Sequence, residues 1–295
     1  MTTPQNNVRI FKSICRACHG GCGAILHVRD GKLIRVKPDP DSPLSQGWMC
    51  IKGLNAPEIV NHPDRLKEPL KRKGERGSGE WEKISWDEAL DDIASKIDSI
   101  CRESGPESIA LGQGTGRHHY LHVVRFANAL GTPNWYEPGL AQCFIPRITI
   151  SYLTYGGFVV GDYYGNVQPK CILFWGHNPL VSSADGELGI AARRALDKGA
   201  IGIAIDPRRS ETAKKCDMWL SIRPGTDDAM ALAMIHVIIN ENLYDRDFVE
   251  KWTSGFEKLK DHVASYTPQW AEKITWVPAA QIVKAAKTYA ANKPS

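Results

Sequence analysis

Four cysteines crowd the start of this chain: Cys15, Cys18, Cys22 and Cys50, in a C-x2-C-x3-C-x27-C spacing. Three thiols in one tight loop, with a fourth returning from a distance, make a tetrathiolate cage for a soft metal centre. Structural zinc also takes four thiolates, but usually from two C-x2-4-C knuckles, and the second knuckle is missing here. A [4Fe-4S] cubane suits the spacing better, because one loop can hold its three nearest corners while a separate segment holds the last. The spacing favours the cluster and leaves zinc as the alternative.

The return path can be read from Ala24 to Lys37, AILHVRDGKLIRVK, which alternates apolar and polar residues around a glycine. That is a hairpin signature. A three-residue loop Arg29-Asp30-Gly31 pairs residues of equal parity, so Leu26 is expected opposite Ile34 and Ala24 opposite Val36, with a bulge at Gly31. His27, Arg29, Arg35 and Lys37 then fall on the other, solvated face.

At 295 residues the chain can bury about three quarters of its unfolded surface and hold two or more domains. Its net charge of +4 is modest and its basic residues are interspersed with acids, which argues against a nucleic-acid partner. No apolar run reaches the roughly eighteen residues of a membrane span. Residues 1–14 contain one arginine and no long apolar stretch, so no export signal is expected and a cytoplasmic location is. In that setting the cysteines are better explained by ligation and burial than by disulfides.

After a linker rich in Pro, Gly, Lys and Arg, Ser85-Trp86-Asp87-Glu88 forms a capping box. Trp86, Leu90, Ile93, Ile97 and Ile100 then recur at helical spacing up to Gly105. This reads as a core-facing amphipathic helix, with Cys101 a buried structural thiol. Strands and helices alternate beyond it: strand 108–111, helix 118–130, strand 171–175, helix 187–198, strands 201–205 and 218–222, and helix 227–241. Such alternation predicts a parallel α/β sheet. The fold class expected is α/β: a small N-terminal β-rich [4Fe-4S] domain followed by parallel-sheet α/β domains that bind a nucleotide cofactor.

Ligands of such sheets bind at the carboxyl ends of the strands. There the chain places Gly176-His177-Asn178-Pro179, then Asp206-Pro207-Arg208-Arg209-Ser210, then Gly225-Thr226-Asp227. Gly176 admits a close approach, Asp206 can accept from ribose or base, and Arg208 can neutralise phosphate. Each loop alone is ordinary turn chemistry; three on successive strands describe a nucleotide-diphosphate cradle. Gly112-Gln113-Gly114-Thr115-Gly116 is not a G-x-G-x-x-G fingerprint, since its third glycine comes one position early.

With these pieces in order, the chain resembles the catalytic subunits of the molybdopterin oxidoreductases related to dimethyl sulfoxide reductase. The match is carried by the cysteine set with its tail Cys50-Ile51-Lys52-Gly53, by HPDRLKEPL from His62, by WEKISWDEALDDIASKI from Trp81, and by the long stretch from Asp206 to Val249. The resemblance implies a [4Fe-4S] cluster on Cys15, Cys18, Cys22 and Cys50. It also implies molybdenum or tungsten held by two molybdopterin guanine dinucleotides, that is, bis(molybdopterin guanine dinucleotide). Lys52 would lie on the electron path between cluster and pterin, and Gln113 would contact the pterin. The three strand-end loops would hold the guanine dinucleotides, and Cys143 would ligate the metal. Domain limits of 1–65, 66–142 and 143–295 follow.

Among subgroups the pattern is similar to the acetylene hydratase and thiosulfate reductase-like members. The hydratase group carries an Asp where this chain has His19, and formate dehydrogenases carry a His where this chain has Phe144. Relatives are much longer, so a truncated product or one half of a split enzyme is expected; besides an oxidoreductase doing two-electron chemistry at a Cys-ligated metal, a hydratase-type lyase on the same cofactor and a cluster-binding fragment that catalyses nothing stay open. Its partners would be a small-molecule substrate and either a ferredoxin-like electron-transfer subunit or the missing C-terminal half.

Overall fold

The structure is a computed structural model that describes residues 7–18, 20–114, 120–139, 145–157, 167–182 and 186–295. The chain divides into two compact units, residues 1–57 with 162–295, and residues 58–161. Among the described residues no helix is long and apolar enough to cross a membrane.

The chain opens with an antiparallel sheet of β1 (Val8–Ile14), β2 (Gly23–Arg29) and β3 (Lys32–Pro38) in that order. Its hairpin corrects the expected register. Arg29 pairs with Lys32, leaving a two-residue turn in which Asp30 and Gly31 both have positive φ, 48° and 76°. That is the primed turn whose twist matches the strands. The extra residue sits inside β3 instead, because Val28 pairs with Leu33 while His27 pairs with Arg35, which leaves Ile34 as the bulge. The bulge shifts the parity back, so Leu26 faces Val36 and Ala24 faces Pro38. Ala24, Val36, Cys22 and Met49 then form a small core, with Leu26 and Trp48 packed against it. His27 is half-buried, with Nε2 buried and unpartnered, rather than solvated.

Two short helices, α1 (Ile51–Leu54) and α2 (Ala56–Val60), follow, then the hairpin β4 (Leu70–Arg72) and β5 (Trp81–Lys83). α3 (Trp86–Ser104) starts as expected: the Ser85 side chain accepts from the Glu88 amide at 3.1 Å, and Gly105 closes the helix with φ 80°. The expectation that α3 faces a core is corrected. It has no buried residue, and Trp86, Leu90, Ile93 and Ile100 are exposed while Cys101 is only half-buried.

The expected strand at 108–111 is shorter and later, because Pro106–Ser108 is a 3-10 turn; β6 is Leu111–Gly112. It pairs in parallel with β7 (Trp135–Tyr136), across α4 (Tyr120–Leu130). Thr132 Oγ1 donates to the Ile109 carbonyl at 2.7 Å and Asn134 Nδ2 to the Glu107 carbonyl at 2.6 Å, fixing the strand entries. α5 spans Ile145–Tyr155.

The second half is the parallel sheet: β8 (Cys171–Trp175), α6 (Pro179–Ser182), α7 (Gly186–Asp197), β9 (Ile201–Ile205) and β10 (Met218–Leu220), in the order β10-β9-β8. The chain then runs through α8 (Asp227–Asn240), α9 (Arg246–Trp252), α10 (Phe256–Val263), α11 (Pro268–Thr275) and α12 (Ala279–Ala291). A near-continuous apolar run is what a strand covered on both faces needs. Ile203 and Ile205 of β9 are fully buried and pack with Leu220, Met230, Val277 and Ile282. Fully burying one such side chain is worth about 1.5–3 kcal/mol, and this cluster fixes the strand ends from which the loops project.

Candidate cofactor-binding site

In the cysteine loop, the Cys15 amide donates to the Cys22 carbonyl at 2.8 Å, closing a turn that Gly21, with φ 57°, lets reverse. The Gly20 amide donates to Cys18 Sγ at 3.4 Å, one of the amide-to-sulfur contacts that favour a thiolate. The fourth thiol arrives on α1: Cys50 is its N-cap, and its carbonyl accepts from Gly53 at 3.1 Å. Gly53 is what allows the approach. A Cβ there would stand 2.6 Å from Met49 Sδ and 3.1 Å from Cys15 Sγ, so a bare backbone brings the helix against the first cysteine.

Cys22 and Cys50 are buried, Cys15 and Cys18 half-buried, and all four are free thiols. Burial pushes the Cys22 thiol up to about 11, with added repulsion from Cys15, Cys18 and Cys50. No three His, Cys, Asp or Glu side chains among the described residues converge on one point as ligands of a single ion would. An amide aimed at Cys18 sulfur and a bare Gly53 backbone set against Cys15 are what a sulfur-bound cluster needs around it. Lys52 is exposed on α1, two residues beyond Cys50.

The three strand-end loops come together along one edge of the β8-β9-β10 sheet. The Gly176 amide donates to Ile205 O at 2.9 Å, and the Asp206 amide to Leu220 O at 3.2 Å. Asn178 then links the first loop to the second: its Oδ1 accepts from the Thr212 amide at 3.1 Å and from Thr212 Oγ1 at 2.7 Å, and its Nδ2 donates to Glu211 at 2.7 Å. Trp175 Nε1 donates to Asp227 Oδ1 at 2.6 Å, tying β8 to the start of α8. Gly176 (φ 58°) and Gly225 (φ 77°) have nothing within 4 Å of where a Cβ would stand, so both loops leave open space.

Other polar groups in these loops are already engaged. Asp206 Oδ1 accepts from the Arg208 amide at 2.8 Å, and Arg208 pairs with Glu211 at 3.3 Å. Arg209 lies over Trp219, 5.8 Å from its ring centre. Ser210 is buried and accepts from the Ala213 amide, while the buried Thr226 donates to the Arg223 carbonyl. Pro179 is fully buried at the start of α6; His177 is half-buried and Pro207 exposed.

Gln113 lies in the other unit, at the carboxyl end of β6, and is 8% exposed with neither its Oε1 nor its Nε2 hydrogen-bonded. Cys143, His19 and Phe144 lie outside the described residues.

Three residues that sequence reasoning missed stand out: Glu211, Trp175 and Glu137. Glu211 follows a Ser in what reads as a turn, Trp175 ends an apolar strand, and Glu137 precedes a Pro-Gly pair, so nothing local marked them. The signal was positional, since each lies at or just past the carboxyl end of a parallel strand or in the loop that follows.

A β-rich cysteine module followed by parallel α/β layers defines a class, and the comparisons agree with it. The chain belongs to the molybdopterin oxidoreductases: residues 65–288 match the molybdopterin oxidoreductase family and residues 8–62 its Fe4S4 domain. The cofactors of that class are a [4Fe-4S] cluster and pterin-bound molybdenum or tungsten. The chain is 38% identical to the acetylene hydratase of Syntrophotalea acetylenica, over 96% of this chain and 39% of that one. It is 36% identical to the thiosulfate reductase molybdopterin-containing subunit PhsA of Salmonella typhimurium, over 96% of this chain and 36% of that one. The solved acetylene hydratase from Pelobacter acetylenicus superposes with a TM-score of 0.79 at 36% identity, covering 96% of this chain and 39% of that one. The chain therefore spans about two fifths of the length of these relatives.

Proposed function

We propose that this chain is the cluster-holding and cofactor-cradling portion of a molybdenum or tungsten bis(molybdopterin guanine dinucleotide) oxidoreductase. Cys15, Cys18, Cys22 and Cys50 would hold the [4Fe-4S] cluster, and the single observation that carries the reading is that Cys50 caps the short helix whose bare Gly53 stands against Cys15 Sγ, with all four cysteines free thiols. The pterin-held metal supplies two-electron chemistry when bound. Lys52 would set a cation beside the anionic cluster, on the route by which electrons leave. Gln113 would contact the pterin. Residues 176–179, 206–210 and 225–227 would take the guanine dinucleotides, and the open space beside Gly176 and Gly225 supports that role. Cys143 would give the metal its protein sulfur. The reading keeps domain limits of 1–65, 66–142 and 143–295, a cytoplasmic location and a ferredoxin-like electron partner.

A second reading is favoured by the 38% identity to an acetylene hydratase: a net non-redox hydration on the same cofactors. His19, in place of the Asp of that group, argues against it, although a His can serve as acid or base.

Iron and acid-labile sulfide analysis of the anaerobically purified chain tests the first claim. A full cluster complement in the wild type, lost in Cys22→Ser, is expected; zinc in its place would overturn the reading. In the full catalytic subunit, turnover that needs an electron donor or acceptor favours the oxidoreductase, and turnover with neither favours the hydratase.

A further inference from the structure

β6 and β7 run in parallel with Leu111 opposite Trp135 and Gly112 opposite Tyr136. The Gln113 amide donates to Tyr136 O at 3.1 Å, so the ladder reaches one residue further and sets Gln113 beside Glu137 at the carboxyl ends. Residues so placed on adjacent strands stand about 4.8 Å apart and share a face. On the other face the bare Gly112 makes room for the Tyr136 ring, since a Cβ there would meet Tyr136 Oη at 2.6 Å. Gln113 is 8% exposed and Glu137 6%, and Gln113 Oε1, Gln113 Nε2 and Glu137 Oε1 are all buried without a hydrogen-bond partner.

Three orphaned polar atoms on two neighbouring residues are costly unless something fills the bonds they lack. Together they offer two acceptors and one donor. A phosphate, all acceptors, is the wrong complement, and the adenine edge offers too few donors. The right complement is two N–H groups beside a carbonyl oxygen.

We propose that Glu137 and Gln113 form a polar seat for an aminopyrimidinone edge, the ring edge shared by pterin and guanine. The proposal rests on the reading of Gln113 as a cofactor contact, and adds Glu137 as the residue that selects the amino-bearing edge.

The test titrates the full chain with 6-carboxypterin and GMP, with IMP, which lacks the amino group, and with AMP. The pterin and GMP are expected to bind, IMP about tenfold more weakly than GMP and AMP weaker still, since one hydrogen bond to a buried carboxyl oxygen is worth about that much. Glu137→Gln should lose about tenfold for pterin and GMP, while its circular dichroism and iron content match the wild type. Tighter binding of 6-carboxypterin than of GMP assigns the seat to the pterin end of the cofactor, the reverse to the guanine end. Glu137→Gln binding as tightly as the wild type, or IMP binding as tightly as GMP, overturns the proposal. If Gln113→Ala loses affinity while Glu137→Gln does not, this inference falls and the cofactor reading stands. Wild-type protein that binds none of the four overturns the seat, and iron analysis judges the cluster reading separately.

Discussion

Glu211 sits where the loops after β8 and β9 meet, and its charge is set by its neighbours. Its own backbone amide, then Asn178 and Arg208, hold its carboxyl down to about 2 from the ordinary 4.5. A folded value below the unfolded one means that the unfolded chain takes up its proton first as the pH falls. The stabilisation is therefore whole above about 4.5 and is lost progressively down to about 2. Glu211→Gln cannot make that exchange, so its thermal midpoint should fall less steeply than that of the wild type between pH 5 and 2; parallel slopes would show that Glu211 is uncoupled from folding. A different residue pair should be silent to chemistry. Burial, with Asp217 and Cys171 adding repulsion, pushes the Cys216 thiol up to about 12, and burial raises Cys171 as well. The thiolate is the reactive form. In native protein at pH 8, mass mapping after iodoacetamide should find both unmodified, with labelling only after denaturation; native labelling of the half-buried Cys216 would contradict its upward shift.

At the scale of elements, crowding at β9 makes a sharper case. A Cβ at Gly202 would stand 2.9 Å from Cys216 Sγ and 3.0 Å from Cys216 Cα. Gly202→Ala should cost about 1–3 kcal/mol as overpacking. Cys216→Ala in the same chain should restore only part of that, because the backbone contact remains, and denaturant midpoints of the four-member cycle read the coupling. Full additivity would place the strain elsewhere. Strands β8 and β9 were legible to the residue because both are short apolar runs between turn residues, and burial on both faces leaves no register to choose. The β2-β3 hairpin was harder. Parity correctly demanded that Leu26 and Val36 share a face, but a bulge can be inserted anywhere along a strand, and the alternation does not say that Ile34 takes it. α3 shows the same limit: periodicity identified the apolar stripe and Ser85 its start, while what covers a stripe is a tertiary fact. At the site, sulfur spacing was readable because ligands must be near in sequence to close a loop. Glu137 was not, since its partner Gln113 lies across a parallel crossover.

For the molecule as a whole, the question is how the cysteine module is joined to the parallel sheet, which lies in the same compact unit although the two family matches divide the chain near residue 62. The join is small and specific. Trp48, next to the core of the cysteine module, lies against Gly189 of α7, where a Cβ would stand 2.9 Å from its ring and 2.7 Å from the Pro179 carbonyl. Beside it Arg194 donates to Gln46 Oε1. Gly189→Ala must therefore move either the indole or the backbone at Pro179, at a cost of about 1–3 kcal/mol. The direction in which the strain is relieved can be measured. A cluster binds only the folded module, so loosening that module speeds its loss. If Trp48 yields, iron release to a chelator should quicken along with the fall in thermal midpoint, and Trp48→Phe in the same chain should slow it again by making room. A lower midpoint with unchanged iron release would mean that the sheet side yields alone, and that the two parts of this unit share a surface without sharing stability.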